Sequence, residues 1–152
     1  MATINATLSV SSGDISSSGL SLTNTMTMTK AGTATGLEFS SGLIRRKLTS
    51  TTEIDLVTTG AQMYGTPTAT TSANKIYIKN TGSSSNDYIS VGLGDATTAE
   101  ELNDGTSKIT LGKLYGGEWM IIPYHGASDV GDILVAPSTA EATTIEWMIF
   151  FE

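Results

Sequence analysis

The chain has a single histidine, His125, which stands in the segment YHGASDVGD close to two carboxylates, Asp129 and Asp132. These residue types could form a His–Asp pair for acid–base chemistry or contribute ligands to a metal ion. A zinc site normally needs three or four nitrogen or sulfur ligands, and this chain offers one histidine and no cysteine. We therefore expect His125 to be a loop histidine and predict no catalytic residues, no metal site and no cofactor.

The other candidate acids and bases fall in predicted loops and turns. Glu100–Glu101, Glu118 and Asp129–Asp132 are interpreted as residues of solubility and turn chemistry, not as a paired acid and base. A structural calcium ion near 104–105 or 129–132 stays open as an alternative, although neither segment has the ligand spacing of an EF-hand loop. The protein is predicted not to be an enzyme.

The charge balance limits the kinds of partner. Fifteen acidic and eight basic residues give a net charge of −7. Nucleic-acid binding needs basic surface that displaces counterions, so we expect no nucleic-acid partner, and the same charge disfavours anionic lipid. No apolar run approaches the roughly 20 residues of a membrane span, and the segment MATINATLSV lacks a basic and apolar leader pattern. We expect a protein made in the cytoplasm with no membrane partner.

One basic cluster stands out from this acidic background. Arg45, Arg46 and Lys47 are adjacent and supply three of the eight basic residues. Charges of this kind often protect an exposed strand edge. They could also form an electrostatic anchor for an acidic partner, and we include them as interface candidates.

Period-two alternation predicts the structural elements. Apolar residues alternate with Ser and Thr over 4–10 and 20–29, which predicts two strands with one buried face, interrupted only by Asn24. The segments NKIYIKNTGSSSNDYISVGL (74–93) and KITLGKLYGGEWMIIPY (108–124) predict two β-hairpins. Short edge strands are expected near 37–39 and 43–48, and one short helix over 95–103.

These elements predict an all-β fold, an antiparallel β-sandwich with at most one short helix and a single domain over 1–152. The loops and strand lengths are compatible with jelly-roll connectivity. The last segment, TTIEWMIFFE, is apolar on both faces. Ile145, Trp147, Ile149 and Phe151 form one face, and Met148 and Phe150 lie on the other. It is predicted to be a central strand or a strand covered by a partner subunit, and Met148 and Phe150 are therefore interface candidates.

Four aromatic residues leave a further alternative open. Tyr77, Tyr88, Trp119 and Trp147 could stack on sugars, as in a carbohydrate-binding module, although tryptophans at strand spacing more often lie in a core.

Several segments in a fixed order carry a resemblance to a known class of proteins: MTKAGTATGLEFSSGLIRRKLTSTT, NKIYIKNTGSSSNDYISVGL, LYGGEWMIIPYHG and TTIEWMIFFE. In this order they resemble small virion structural proteins of tailed bacteriophages, especially those of aquatic and cyanobacterial phages. The acidic segment GDATTAEELNDGTS departs from the shorter linker expected there. The resemblance supplies no functional residue to carry over.

The resemblance implies a non-enzymatic virion protein, with a capsid decoration (cement) protein as the first hypothesis. Its partners would be the major capsid protein or other virion proteins, and it would form a homo-oligomer, with a trimer favoured. It would be synthesised in the host cytoplasm and would reside on the capsid surface. A tail, neck or fibre-associated protein is the first alternative, and a carbohydrate-binding module is the second.

Overall fold

The computed structural model describes residues 3–14, 19–29, 35–37, 39–57, 74–94, 109–124, 132–139 and 143–151. These residues are strands and their connections, without a helix, and so without a helix that could cross a membrane. The short helix predicted over 95–103 lies outside them. The strands are β1 (Ile4–Ser12), β2 (Leu20–Met28), β3 (Phe39–Ser40), β4 (Ile44–Leu48), β5 (Ile54–Val57), β6 (Asn74–Asn80), β7 (Tyr88–Gly94), β8 (Ile109–Tyr115), β9 (Trp119–Tyr124), β10 (Asp132–Pro137) and β11 (Thr143–Phe151).

Two antiparallel sheets form a β-sandwich, as the alternation predicts. One sheet has the order β4–β11–β6–β9, with β3 beside the end of β11, and we call it the first sheet. The second sheet has the order β5–β10–β7–β8. Each strand pair of the first sheet has a counterpart in the second, formed by the strands that lie next to it between its two members along the chain. The pair β4–β11 corresponds to β5–β10, β11–β6 to β10–β7, and β6–β9 to β7–β8. This nesting is the connectivity of a jelly roll.

Both predicted hairpins are wrong. β6 pairs with β11 and β9 in the first sheet, whereas β7 pairs with β10 and β8 in the second. β8 and β9 likewise belong to different sheets. Alternating strands joined by Gly, Ser and Asn are equally compatible with a crossing between two facing sheets, and the segments over 74–93 and 109–124 make such crossings.

The two crossings are packed against each other. Gly116 donates its backbone N–H to the Ser84 carbonyl at 3.2 Å, and Gly117 donates to the Asn80 carbonyl at 2.9 Å. A Cβ atom on Gly116 would lie 2.6 Å from the Ser84 oxygen, and Gly117 has φ +86°. The buried Asn80 side chain donates to the Leu114 carbonyl at 3.1 Å and so connects the two sheets. The Gly–Gly pair is therefore required by close approach as well as by turn geometry.

The core lies between the sheets and is built from the alternate residues that the period-two pattern places inward. Strand β11 is central, as predicted, between β4 and β6. Each fully buried isoleucine contributes about 1.5–3 kcal/mol of hydrophobic stabilisation. The inward residues include Ile76, Ile78, Ile89, Val91, Ile133, Val135, Ile145, Trp147 and Ile149.

Strands β1 and β2 form a separate two-stranded hairpin, which we call the arm. Its register runs without a bulge from the pair Ile4–Met28 to the pair Ser12–Leu20. One face carries hydroxyl and amide side chains, and Thr7 and Thr25 are hydrogen-bonded across it at 3.0 Å. Apolar and polar side chains alternate along the arm as predicted. The prediction that the apolar face is buried is wrong for most of the arm. Only the base of the apolar face is covered, where Met28 is 2% exposed.

Candidate interaction surfaces

A charged cluster lies on the outer face of the first sheet. The register of β4, β11 and β6 places Arg45, Glu146 and Tyr77 on neighbouring strands of this face. The Nε and Nη2 atoms of Arg45 each lie 2.9 Å from Oε2 of Glu146, and the Tyr77 hydroxyl donates to Oε1 at 3.1 Å. The Arg45 side chain is 68% exposed and that of Glu146 is 9% exposed. Glu146 is thus a nearly buried carboxylate held by a largely solvated guanidinium.

The electrostatics of this cluster follow from these contacts. Burial acts to raise the pKa of Glu146, but hydrogen bonds from Arg45 and Tyr77, together with the charges of Arg45 and Lys79, outweigh it and leave this pKa below its usual value. The pKa of Tyr77 is raised by burial and then by its hydrogen bond to Glu146 and the nearby carboxylate charge. At neutral pH the carboxylate is therefore ionised and the phenol keeps its proton.

The predicted basic cluster does not share one face. Successive residues of a strand point to opposite sides, so Arg45 and Lys47 lie on the outer face with Glu146 and Thr144, their register partners. Arg46 is opposite Ile145 and points to the other side of β4. All three residues are exposed, and among the described residues no strand pairs with the far edge of β4. The charged edge strand is therefore observed, and the anchor role stays a prediction.

The two apolar interface candidates also lie on this outer face. Met148 is opposite Tyr77, and Phe150 is opposite Lys75 on β6 and Ser40 on β3. Both side chains are partly buried. Four of the five predicted interface residues therefore share the outer face of the first sheet, and only Arg46 does not.

A cleft of about 310 Å³ separates the base of the arm from this outer face. Trp119, 45% exposed, lies on its sheet side with its ring centroid 6.4 Å from that of Tyr77. Trp147 is 7% exposed and belongs to the core. The core interpretation of the tryptophans is therefore correct for Trp147 and wrong for Trp119. The cleft is lined by Asn5, Ala6, Thr7, Met28, Tyr77, Lys79, Trp119, Ile121 and Phe150.

Tyr88, the other candidate for sugar stacking, lies on the second sheet. Its ring makes an edge contact with Tyr115 at 5.4 Å, and the Lys113 ammonium lies 4.2 Å from its centroid. Tyr115 and Lys113 therefore already contact the partly buried Tyr88 ring on which a sugar would have to stack.

An exposed apolar surface lies on the arm. Five residues beyond its base form what we call the apolar face of the arm, and each is between 38% and 48% exposed. They are Leu8, Val10, Leu20, Leu22 and Met26. Asn24, which would need a partner if buried, lies on this face opposite Leu8 and is itself exposed.

Most of the acidic and basic residues considered for catalysis or metal binding lie outside the part of the chain that the structure describes. His125, Glu100–Glu101 and Asp129 lie outside the described residues, as do both segments considered for calcium apart from Asp132. Within the described ranges, no three His, Cys, Asp or Glu side chains are grouped so that they could hold a metal ion. Glu118 has the turn role predicted for it, because its Oε2 accepts the Tyr115 backbone N–H at 2.8 Å.

Two features of these surfaces were missed in the sequence. Glu146 was not selected, although a single carboxylate inside the apolar run TTIEWMIFF must be partnered if the strand is central. The exposed apolar face of the arm was also missed, because alternation identifies an apolar face but does not show what covers it.

Comparison with models of known protein families, with curated proteins and with solved structures finds no significant match to this chain. The functional argument therefore depends on the residues and surfaces of the chain itself.

Proposed function

We propose that the protein is a non-enzymatic structural component of a tailed-bacteriophage virion, a capsid decoration protein that binds the assembled head shell and stabilises it. Its partners are the major capsid protein or other virion proteins, and further copies of itself. The observation that carries the proposal is the arm, a hairpin that belongs to neither sheet, has no charged residue in its two strands and presents five exposed apolar side chains. Such a surface fits a part that functions by burying area against neighbours.

The fold and the sequence both agree with this proposal. Jelly-roll sandwiches recur in viral capsid and lectin domains, although a fold alone does not determine a function. The ordered segments that resemble tailed-phage virion proteins include both sheet crossings and strand β11. They therefore cover every strand of the first sheet with its outer face, but only β7 and the end of β8 in the second sheet.

The outer face of the first sheet is the surface proposed to meet the shell. It gathers Arg45, which is paired with Glu146, and Lys47 with the partly buried Met148 and Phe150, so it combines apolar contact area with a net positive charge in a chain of net charge −7. A rim of positive charge beside an apolar centre is a common arrangement in protein interfaces.

The proposal is tested by counting copies in purified particles of the phage that encodes the chain, with quantitative mass spectrometry against the major capsid protein. Hundreds of copies per particle, with matching density on the head in an electron-microscopy map, would support decoration. A few to some dozens of copies, located at one vertex, would instead support a tail, neck or fibre component. Absence of the protein from purified particles would reject both assignments.

The cleft beside Trp119 favours carbohydrate binding as a second candidate function. An exposed indole next to Tyr77 and Lys79 offers a stacking surface with hydrogen-bonding groups around it. Glycan-array binding that is lost in Trp119→Ala and retained in Tyr115→Ala, which removes an exposed aromatic ring from the other sheet, would support it. Equal array signals for the wild type and both variants, or no signal at all, would reject it.

A further inference from the structure

The outer face of the first sheet concentrates positive charge. Four of the eight basic residues of the chain lie on it, and they are Arg45, Lys47, Lys75 and Lys79. Strands β4, β11, β6 and β9 place one acidic residue on the same face, Glu146, and its charge is balanced by Arg45 in their ion pair. The face is therefore positive in a chain of net charge −7, and its potential favours the approach of an anion.

Lys79 brings this charge to the cleft. It is the one charged residue in the lining of the cleft, and its side chain is partly exposed. The Glu146 carboxylate receives its hydrogen bonds from Arg45 and Tyr77, and Lys79 has no ion-pair partner within the described ranges. Its ammonium group is therefore available to donate charge-assisted hydrogen bonds to an anionic ligand.

Trp119 lies directly beside this ammonium group. It is opposite Lys79 in the pairing of β9 with β6, and the Cβ atoms of opposite residues in an antiparallel pair are about 4.5–5.5 Å apart. The flexible stem of Lys79 therefore allows its ammonium group to reach the edge of a ring stacked on the 45% exposed indole. An open aromatic ring with a cation at its edge is complementary to a sugar ring that carries a carboxylate, as in a hexuronic acid.

The opposite wall of the cleft supplies polar groups for sugar hydroxyls. Asn5 and Thr7, on the hydroxyl and amide face of the arm, line the cleft together with Ala6. Ligand pockets have volumes upward of about 300 Å³ and combine an apolar lining with a few polar groups that fix the orientation of the ligand. At about 310 Å³, the cleft has room for a short stretch of glycan but not for a folded partner.

We propose that the cleft binds an acidic glycan, with a hexuronic acid ring stacked on Trp119 and its carboxylate bound by Lys79. The inference rests on carbohydrate binding, the second candidate function, and names the class of sugar. Because the cleft opens on the face proposed to meet the shell, it concerns copies in which this face is free.

The test compares a uronic acid oligosaccharide with its own methyl ester, because esterification removes the charge and leaves the sugar rings unchanged. An array of oligogalacturonates, alginate oligosaccharides and neutral oligosaccharides first identifies the uronic acid ligand that binds best. Isothermal titration calorimetry then measures the affinity for this ligand and for its methyl ester. We expect the ester to bind about tenfold more weakly, as for the loss of one hydrogen bond to a charged group.

Two lysine variants show whether the preference comes from the cleft. Lys79→Met and Lys47→Met each remove one positive charge from the same face, but only Lys79 lines the cleft. We expect Lys79→Met to bind acid and ester equally and Lys47→Met to keep the tenfold preference. Trp119→Ala should lose affinity for both ligands. None of the three side chains is buried, so these changes leave the core intact.

Each contrary outcome removes a different part of the reasoning. Equal affinity of the wild type for acid and ester, or binding to neutral glycans alone, would overturn the inference but leave carbohydrate binding standing. A preference for the acid that persists in Lys79→Met, or that is lost equally in Lys47→Met, would overturn the role of Lys79. Absence of binding to every glycan would overturn both the inference and the second candidate function, while the copy number in particles would still test decoration.

Discussion

Replacing Arg45 should reveal the energetic asymmetry of the ion pair on the outer face. Arg45→Met keeps most of the aliphatic stem but removes both charged donors, so Glu146, at 9% side-chain exposure, retains only Tyr77 as a hydrogen-bond partner in this cluster. Hydrogen bonds to charged groups contribute about 1.5–3 kcal/mol, but solvent screens the largely exposed guanidinium, so we expect the free energy of unfolding to fall by about 1 kcal/mol at pH 7. For a domain of this size, the thermal midpoint falls by about 2–4 °C for each kcal/mol lost.

The pH dependence gives a second measure of the same contact. The pKa of Glu146 is lowered in the folded chain, so its contribution is fully present above the unfolded value of about 4.3 and is lost as pH falls through the folded pKa. The difference between the wild type and Arg45→Met should therefore be largest near neutral pH and should shrink below about pH 4.

Urea unfolding at several pH values measures both effects, with Arg46→Met as the matched control. Arg46 is the next residue of the same edge strand, is exposed and points to the opposite side, so its replacement should change stability by no more than about 0.5 kcal/mol. Equal losses for the two variants, or a loss for Arg45→Met that does not depend on pH, would refute the reasoning.

Three further predictions concern the sheet crossing, the core and the proposed anchor. Gly116→Ala forces a Cβ to 2.6 Å from a backbone oxygen and should lower the unfolding free energy by about 1–3 kcal/mol, whereas Gly112→Ala, with nothing within 4 Å, should lower the thermal midpoint far less. Burial and then a nearby acidic charge raise the pKa of Tyr124 to about 12. Its contribution is therefore complete below about pH 10 and is lost as pH rises toward 12. Tyr124→Phe should flatten this loss in thermal scans, and parallel curves would contradict it. Lys47→Ser should slow attachment to shells and weaken the salt dependence of attachment, while Arg46→Ser should leave the rate and its salt dependence unchanged. Identical salt dependence for the wild type and both variants would refute the anchor role of Lys47.

The sequence was sufficient for the strands and insufficient for the partners of each strand. Alternation in NKIYIKN and YISVGL gives the inward residues correctly, because the period of two is a local property of extended backbone. It does not reveal whether the next strand pairs beside the first or packs opposite it. That choice depends on contacts such as Gly116 against Ser84, between residues 32 positions apart.

The candidate interface residues were likewise only partly predictable from the sequence. The interface role of Met148 and Phe150 was inferred from two-sided apolarity. Both lie on the outer face of a central strand, and their interface role stays a prediction. Arg45, Arg46 and Lys47 were treated as one cluster because they are adjacent in sequence, but adjacency along a strand places neighbours on opposite faces. The arm was expected to be covered, because a sequence shows an apolar stripe without showing whether the same chain covers it.

The central position of β11 also determines when the first sheet can form. β4 and β6 are both partners of β11 but not of each other, and Arg45 and Glu146 are 101 residues apart. During synthesis, β4 and β6 leave the ribosome before β11, so their common partner is absent until residues 143–151 have emerged. Pairing over such distances carries a large loop-closure cost and is typical of folding in milliseconds to seconds. The apolar residues of β6 are exposed during that interval, so the growing chain is expected to depend on chaperones until its last strands are complete.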